Sequence, residues 1–131
     1  MRCYCCSGLE YDICCQPFIQ RLKNPPTAES LMRSRYTAFC LLDHAYLNLT
    51  VCGPAKRYIS DTVRPCHWVK LDILNTVKGS EKDRSGSVQF NAFFKENNQR
   101  FCLTETSQFK KIDGLWFYVD GISNVESIAA N

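Results

Sequence analysis

The chain contains no apolar run near the roughly 20 residues that a membrane-spanning helix needs. Met1-Arg2 leads into cysteines, without the apolar core of a secretory signal. These two absences predict a cytoplasmic protein with no membrane partner. Like charges never gather into a block, and the net charge is only +3, so the sequence carries no mark of a nucleic-acid arm or a polybasic anchor. Histidine is scarce: His44 and His67 are the only two, and each is expected at a surface or a helix end.

Cysteine, by contrast, is dense. Nine occur in 131 residues, and the first fifteen positions hold Cys3, Cys5, Cys6, Cys14 and Cys15. In a reducing compartment such a cluster points to a metal site or a reactive centre, not to a disulfide framework, and an odd number cannot close into bridges. The spacing C-x-C-x8-C-C suits a tetrahedral zinc ion: thiolates are soft ligands, four of them close a structural site, and the two pairs end a loop short enough to fold back. Ser7-Gly8 supplies the turn. On spacing alone Cys6 is an alternative to Cys5. A redox pair Cys3-x-x-Cys6 would want a preceding strand, which this N-terminus lacks.

Elsewhere, Gln16 to Arg21 reads as a short helix, and Asn24-Pro25-Pro26 as a linker. Thr27 is the natural N-cap of a helix from about Ala28 to Leu42. On that helix Ala28, Leu31, Met32, Ala38, Phe39 and Leu42 share an arc, with Arg35 in its middle. A guanidinium there demands a carboxylate or several hydrogen bonds. Asp43 should cap a second short helix, His44 to Val51, and a further helix or loop should carry Tyr58 and Ile59 until Pro65.

The hydrophobic period then changes to two. Strands are predicted at Trp68–Val77, Val88–Lys95, Arg100–Lys110 and Leu115–Ile122, with turns at Asn97-Asn98 and Asp113-Gly114. Helices followed by an antiparallel meander make the class α+β. Alternation places Phe101, Leu103, Glu105, Ser107 and Phe109 on one strand face. If that face meets the long helix, Glu105 is a natural partner for Arg35, either as a purely structural bridge or, with Ser107, as the polar floor of a ligand cavity. Cys66-His67 are adjacent and should point to opposite strand faces, which argues against a nucleophilic pair. Cys40, Cys52 and Cys102 are expected as small buried apolar groups.

Two resemblances refine this reading. C-x-C-x-S-G-x-x-Y-x-x-C-C, here Cys3, Cys5, Ser7, Gly8, Tyr11, Cys14 and Cys15, resembles the SEC-C zinc motif. That resemblance implies structural zinc held by Cys3, Cys5, Cys14 and Cys15. It departs at Tyr4, where proline is common, and at Cys6, where glycine is common. The run from Pro26 to Phe39, with E-x-L-M-R-S-R-Y-x-A-F at its heart, is followed by E-x-S-x-F (Glu105, Ser107, Phe109) and G-x-W-x-Y-x-D-G (Gly114, Trp116, Tyr118, Asp120, Gly121). Together these resemble the YchJ family of uncharacterised bacterial proteins.

Membership implies a zinc motif over residues 1–22, a cone-shaped nuclear transport factor 2-like domain of helices on a bent sheet over 23–122, and a tail over 123–131. Where family members often show T-W-H-P, this chain has Thr50-Val51-Cys52-Gly53-Pro54. The function implied is a non-enzymatic adaptor that docks through the zinc motif onto a protein partner of the translation or export machinery. The alternative is a small-molecule-binding or enzymatic cone around Arg35 and Glu105, of isomerase, dehydratase or hydrolase type. A homodimer through the outer sheet face is a further expectation, and recognition of RNA by the knuckle has least support because the basic residues are scattered.

Overall fold

A computed structural model of the chain describes residues 1–53 and 67–128. The expected helix or loop carrying Tyr58 and Ile59, together with Cys66, lies outside the described residues. Among these residues, in chain order, are a 3-10 turn (Tyr11–Ile13) and three helices, α1 (Gln16–Ile19), α2 (Ala28–Leu41) and α3 (His44–Leu49). Four strands follow: β1 (His67–Lys78), β2 (Ser85–Glu96), β3 (Gln99–Ile112) and β4 (Leu115–Ile128). The strands form one antiparallel sheet in the order β1-β2-β3-β4, so the predicted α+β meander is what the chain adopts.

Local chemistry sets the element ends. Thr27 is extended, its hydroxyl accepts from the Ser30 amide at 3.0 Å, and the Ser30 hydroxyl accepts from the Thr27 amide at 3.0 Å. This reciprocal box satisfies two otherwise orphaned donors and is worth about 1 kcal/mol. α2 stops where Leu42 turns left-handed (φ 55°), and the Asp43 carboxylate then accepts from the Tyr46 amide at 3.0 Å to start α3. At both predicted hairpins the turn residues have positive φ: Asn97 and Asn98 at 52° and 65°, Asp113 and Gly114 at 51° and 81°. That conformation matches the twist of paired strands.

α2 is the centre of the molecule. Its buried residues, Ala28, Leu31, Met32, Ser34, Arg35, Tyr36, Thr37 and Ala38, cover more than the single arc predicted, whereas Leu42 is exposed. The reason is that α2 is enclosed from several directions. β1, β2 and β4 pack on it, α3 lies beside it, and the cysteine loop contributes Cys3, Cys5 and Cys15 to the same core cluster as Leu31, Met32, Tyr36, Phe90, Phe109 and Trp116. Residues 1–22 therefore share a core with the domain. The β1–β2 hairpin also reaches the start of α2, where the Ala28 amide donates to the Gly79 carbonyl at 2.9 Å. A Cβ on Gly86 would lie 2.5 Å from the Gly79 backbone, so only glycine permits this neck.

The last strand is longer than predicted. β4 pairs with β3 out to Ile128 opposite Arg100, so the expected strand end at Ile122 is corrected, and 123–128 is strand and not tail. The polar run Ser123, Asn124, Glu126, Ser127 hides the alternation, because this end of the sheet is exposed on both faces.

Candidate metal centre

The N-terminal loop folds onto itself through its backbone. Arg2 and Glu10 form an antiparallel bridge, the Cys3 amide donates to the Leu9 carbonyl at 2.8 Å, and the Tyr11 amide donates to the Met1 carbonyl at 2.9 Å. Positive φ at Cys6 (63°) and Gly8 (88°) bends the chain between them. The Met1 ammonium meets Glu10 at 2.6 Å, and Arg2 donates to the Gly8 carbonyl. The 3-10 turn then returns the chain so that Cys14 and Cys15 face Cys3 and Cys5.

The four sulfurs of Cys3, Cys5, Cys14 and Cys15 lie within 4.8 Å of one another. Cys5 and Cys14 are 3.6 Å apart, and Cys14 and Cys15 3.9 Å. Both distances are far beyond the roughly 2.05 Å of a disulfide. They bracket the edge of about 3.8 Å expected for a tetrahedron of sulfurs each about 2.3 Å from a central ion. The donor set therefore fits a metal ion. Cys3, Cys5 and Cys15 are buried and Cys14 half-buried. Cys6 is exposed, with its thiol directed at the Tyr4 carbonyl at 3.5 Å, so it is Cys5 and not Cys6 that lies in the cluster.

Electrostatics shows how the cluster would respond to a cation. The thiols of Cys15 and Cys3 hydrogen-bond to Cys5 and push its pKa down, making it the natural seat of one negative charge. Burial pushes Cys14 up to about 11. Hydrogen bonding to Cys3 and Cys5, followed by burial, pushes Cys15 up as well. Four thiolates at this spacing would repel one another; without an ion protons neutralise them, and a bound cation would take the protons' place.

Neighbouring residues hold the loop in place. The Ser7 hydroxyl sits 3.2 Å from the Cys14 sulfur, and that of Thr37 on α2 sits 3.8 Å from Cys3. Arg33 donates to the Cys5 carbonyl at 2.8 Å and to Glu29 at 3.0 Å. Sequence reasoning missed Arg33 and Thr37. A signal for Arg33 was present: in R-S-R two residues of helix turn about 200°, so Arg33 and Arg35 must serve opposite sides of α2.

Arg35 is 4% exposed. Its Nη1 donates to the Leu47 carbonyl at 3.0 Å and to the Thr50 hydroxyl at 2.7 Å, at the C-terminal end of α3, where a cation is favoured. The guanidinium lies 4.9 Å over the Tyr118 ring. Burial lowers its pKa to about 10, which leaves it charged at neutral pH. The expected direct pairing with Glu105 is corrected: among the described residues Arg35 and Glu105 form no ion pair, and Tyr118 stands between them. The Tyr118 hydroxyl donates to Glu105 at 3.1 Å, and the buried Ser107 hydroxyl donates to the same oxygen at 2.5 Å. Gly121 makes room for this group, since a Cβ there would lie 2.5 Å from the Glu105 oxygen.

A cleft of about 630 Å³ lies away from Arg35 and Glu105, beside the cysteine loop. Leu9, Ile13 and Phe18 line it on the loop side, and Glu29, Arg33 and Lys78 on the side of α2 and β1. His44 and His67 are exposed, at the first positions of α3 and β1. No described helix is long and apolar enough to cross a membrane.

Fold and site together define a small α+β protein with an N-terminal four-cysteine cluster able to hold a metal ion. Residues 27–121 match the family model described as the YchJ middle NTF2-like domain. A UPF0225 protein of Actinobacillus succinogenes is 42% identical over 123 residues, covering 90% of this chain and 79% of the relative. The chain belongs to this YchJ (UPF0225) family. Among solved structures, a SEC-C motif containing protein from Rhodopseudomonas palustris superposes with a TM-score of 0.78 at 31% identity, over 93% of this chain and 98% of the other. A SEC-C motif containing protein from Psychrobacter arcticus does so with a TM-score of 0.73 at 28% identity, over 87% and 72%.

Proposed function

We propose that Cys3, Cys5, Cys14 and Cys15 hold one structural zinc ion, and that the zinc knuckle is the docking surface of a non-enzymatic adaptor built on a cone-shaped nuclear transport factor 2-like domain. The observation that carries this reading is the donor set: four sulfurs within 4.8 Å of one another, enough to fill a tetrahedral ion's coordination and leave it no open position for water or substrate. SEC-C proteins among the structural relatives support the choice of zinc.

The loop is anchored from behind and apolar in front. Arg33 and Thr37 fix it to α2, while Leu9 is 49% and Ile13 68% exposed beside the cleft. Exposed apolar groups around a rigid loop suit a protein partner, for which the translation and export machinery is the proposed setting, in the cytoplasm. The alternative, a ligand or reaction site at Arg35, Glu105 and Ser107, has less support because Arg35 and Ser107 are buried and hydrogen-bonded within the protein.

The test has two arms. Elemental analysis of the purified chain should give one zinc per chain. Affinity capture with the native protein and with a Cys14→Ser, Cys15→Ser variant should then lose its partners together with the metal. Partners retained after metal loss would end the docking reading while leaving the zinc assignment standing.

A further inference from the structure

The two edges of the sheet are built differently. β1 carries Lys70 and Lys78, and its pairing with β2 slips twice, between Trp68 and Lys70 and between Ile73 and Asn75. Lysines and bulges are the usual means of blunting an edge against other chains. Among the described residues the opposite edge, β4, is covered only near its start. There Val51 forms a parallel bridge with Tyr118, the Cys52 amide donates to the Tyr118 carbonyl at 2.9 Å, and the Tyr118 amide donates to the Thr50 carbonyl at 2.9 Å.

Among the described residues nothing pairs with the outward edge from Val119 to Ile128. This stretch contains no lysine, arginine or proline. Its register with β3 runs without a break from Asp120 to Ile128. Ile122 is 85% and Val125 51% exposed, which packing within one chain does not explain.

We propose that this edge pairs antiparallel with the same edge of a second copy of the chain, about a two-fold axis at Val125, joining two sheets into one. The side chains select that register. On one face Val125 meets Val125, and Ser123 meets Ser127. On the other face Ile122 meets Ile128, and Asn124 meets Glu126, an amide donor against a carboxylate. Directly opposed side chains lie about 5 Å apart, so apolar groups meet apolar ones and no like charges oppose. Moving the axis by one residue to Glu126 sets two carboxylates face to face; moving it to Asn124 sets Ile122 against Glu126. The overlap from Ile122 to Ile128 is short, which places the dimer in the weak class of interfaces. This inference does not depend on the docking reading: it uses an edge of the sheet outside the cysteine loop.

Sedimentation equilibrium of the full chain, from micromolar to about millimolar concentration, tests it. The average mass should rise from 15.1 kDa toward twice that value. Asn124→Glu sets Glu against Glu126 twice per dimer and should weaken association about tenfold. Asn124→Glu combined with Glu126→Lys turns both contacts into opposite-charge pairs and should restore it. Both sites are exposed, and far-UV circular dichroism checks that each variant is folded. A chain that stays at 15.1 kDa throughout, a dimer indifferent to Asn124→Glu, or a double variant that fails to recover each overturns the proposal.

Discussion

Replacing Cys6 by glycine should stabilise the protein and leave its metal content unchanged. Cys6 holds φ at 63° in the turn between the ligand pairs, and its side chain is exposed. A side chain in the left-handed region costs about 1–2 kcal/mol. Glycine removes that cost but adds roughly 0.5–1 kcal/mol of unfolded-state entropy. The thiol contact to the Tyr4 carbonyl, at 3.5 Å and open to water, contributes little. The net gain is about 0.5–1 kcal/mol, which for a domain of this size raises the melting temperature by about 2–5 °C. Thermal unfolding followed by circular dichroism, with zinc measured on the same samples, is the assay. A lower melting temperature accompanied by lost metal would make Cys6 a ligand and refute the assignment of Cys5.

Other outcomes follow from the same geometry. Arg33→Met leaves the Cys5 carbonyl without its charged donor; a loss of about 1–2 kcal/mol and faster zinc transfer to a chelator should result, and an unchanged transfer rate would remove Arg33 from the support of the loop. Gly121→Ala drives a methyl into the Glu105 oxygen and the Tyr118 hydroxyl; chemical denaturation should show a loss of about 1–3 kcal/mol, whereas a neutral result would mean that the Tyr118–Glu105 contact is dispensable. Zinc affinity should rise with pH. Cys14 is raised to about 11 and Cys15 is also raised in the metal-free cluster, so the free form holds protons that binding expels, and metal-linked stability is lost as pH falls. Chelator competition at pH 6 and pH 8 checks the sign; equal affinities at the two would contradict it.

The elements with strong local chemistry were legible before any coordinates. Asn97-Asn98 and Asp113-Gly114 marked the hairpins because only residues tolerant of positive φ can sit there. The cysteine cluster was legible as two pairs separated by a Ser-Gly turn, although spacing alone could not choose between Cys5 and Cys6. What stayed hidden depends on contacts distant in sequence. Tyr36 and Thr37 look peripheral on a helical wheel and are buried because a second layer, the cysteine loop, covers that side of α2. Arg35 called for a partner, and the nearest carboxylate in the strand pattern, Glu105, was the simplest choice. The actual acceptors are the carbonyl end of α3 and the Tyr118 ring, neither of which hydrophobic periodicity can bring beside α2. β4 beyond Ile122 lacked alternation because both faces meet solvent.

Elemental analysis combined with native mass spectrometry tests the central claim most directly. The account predicts one zinc per chain on a 15.1 kDa protein, with no hydrogen lost to disulfides, and no zinc in the Cys14→Ser, Cys15→Ser variant. A zinc-free native chain, or one whose mass is reduced by the hydrogens of a bridge among Cys3, Cys5, Cys14 and Cys15, would contradict it.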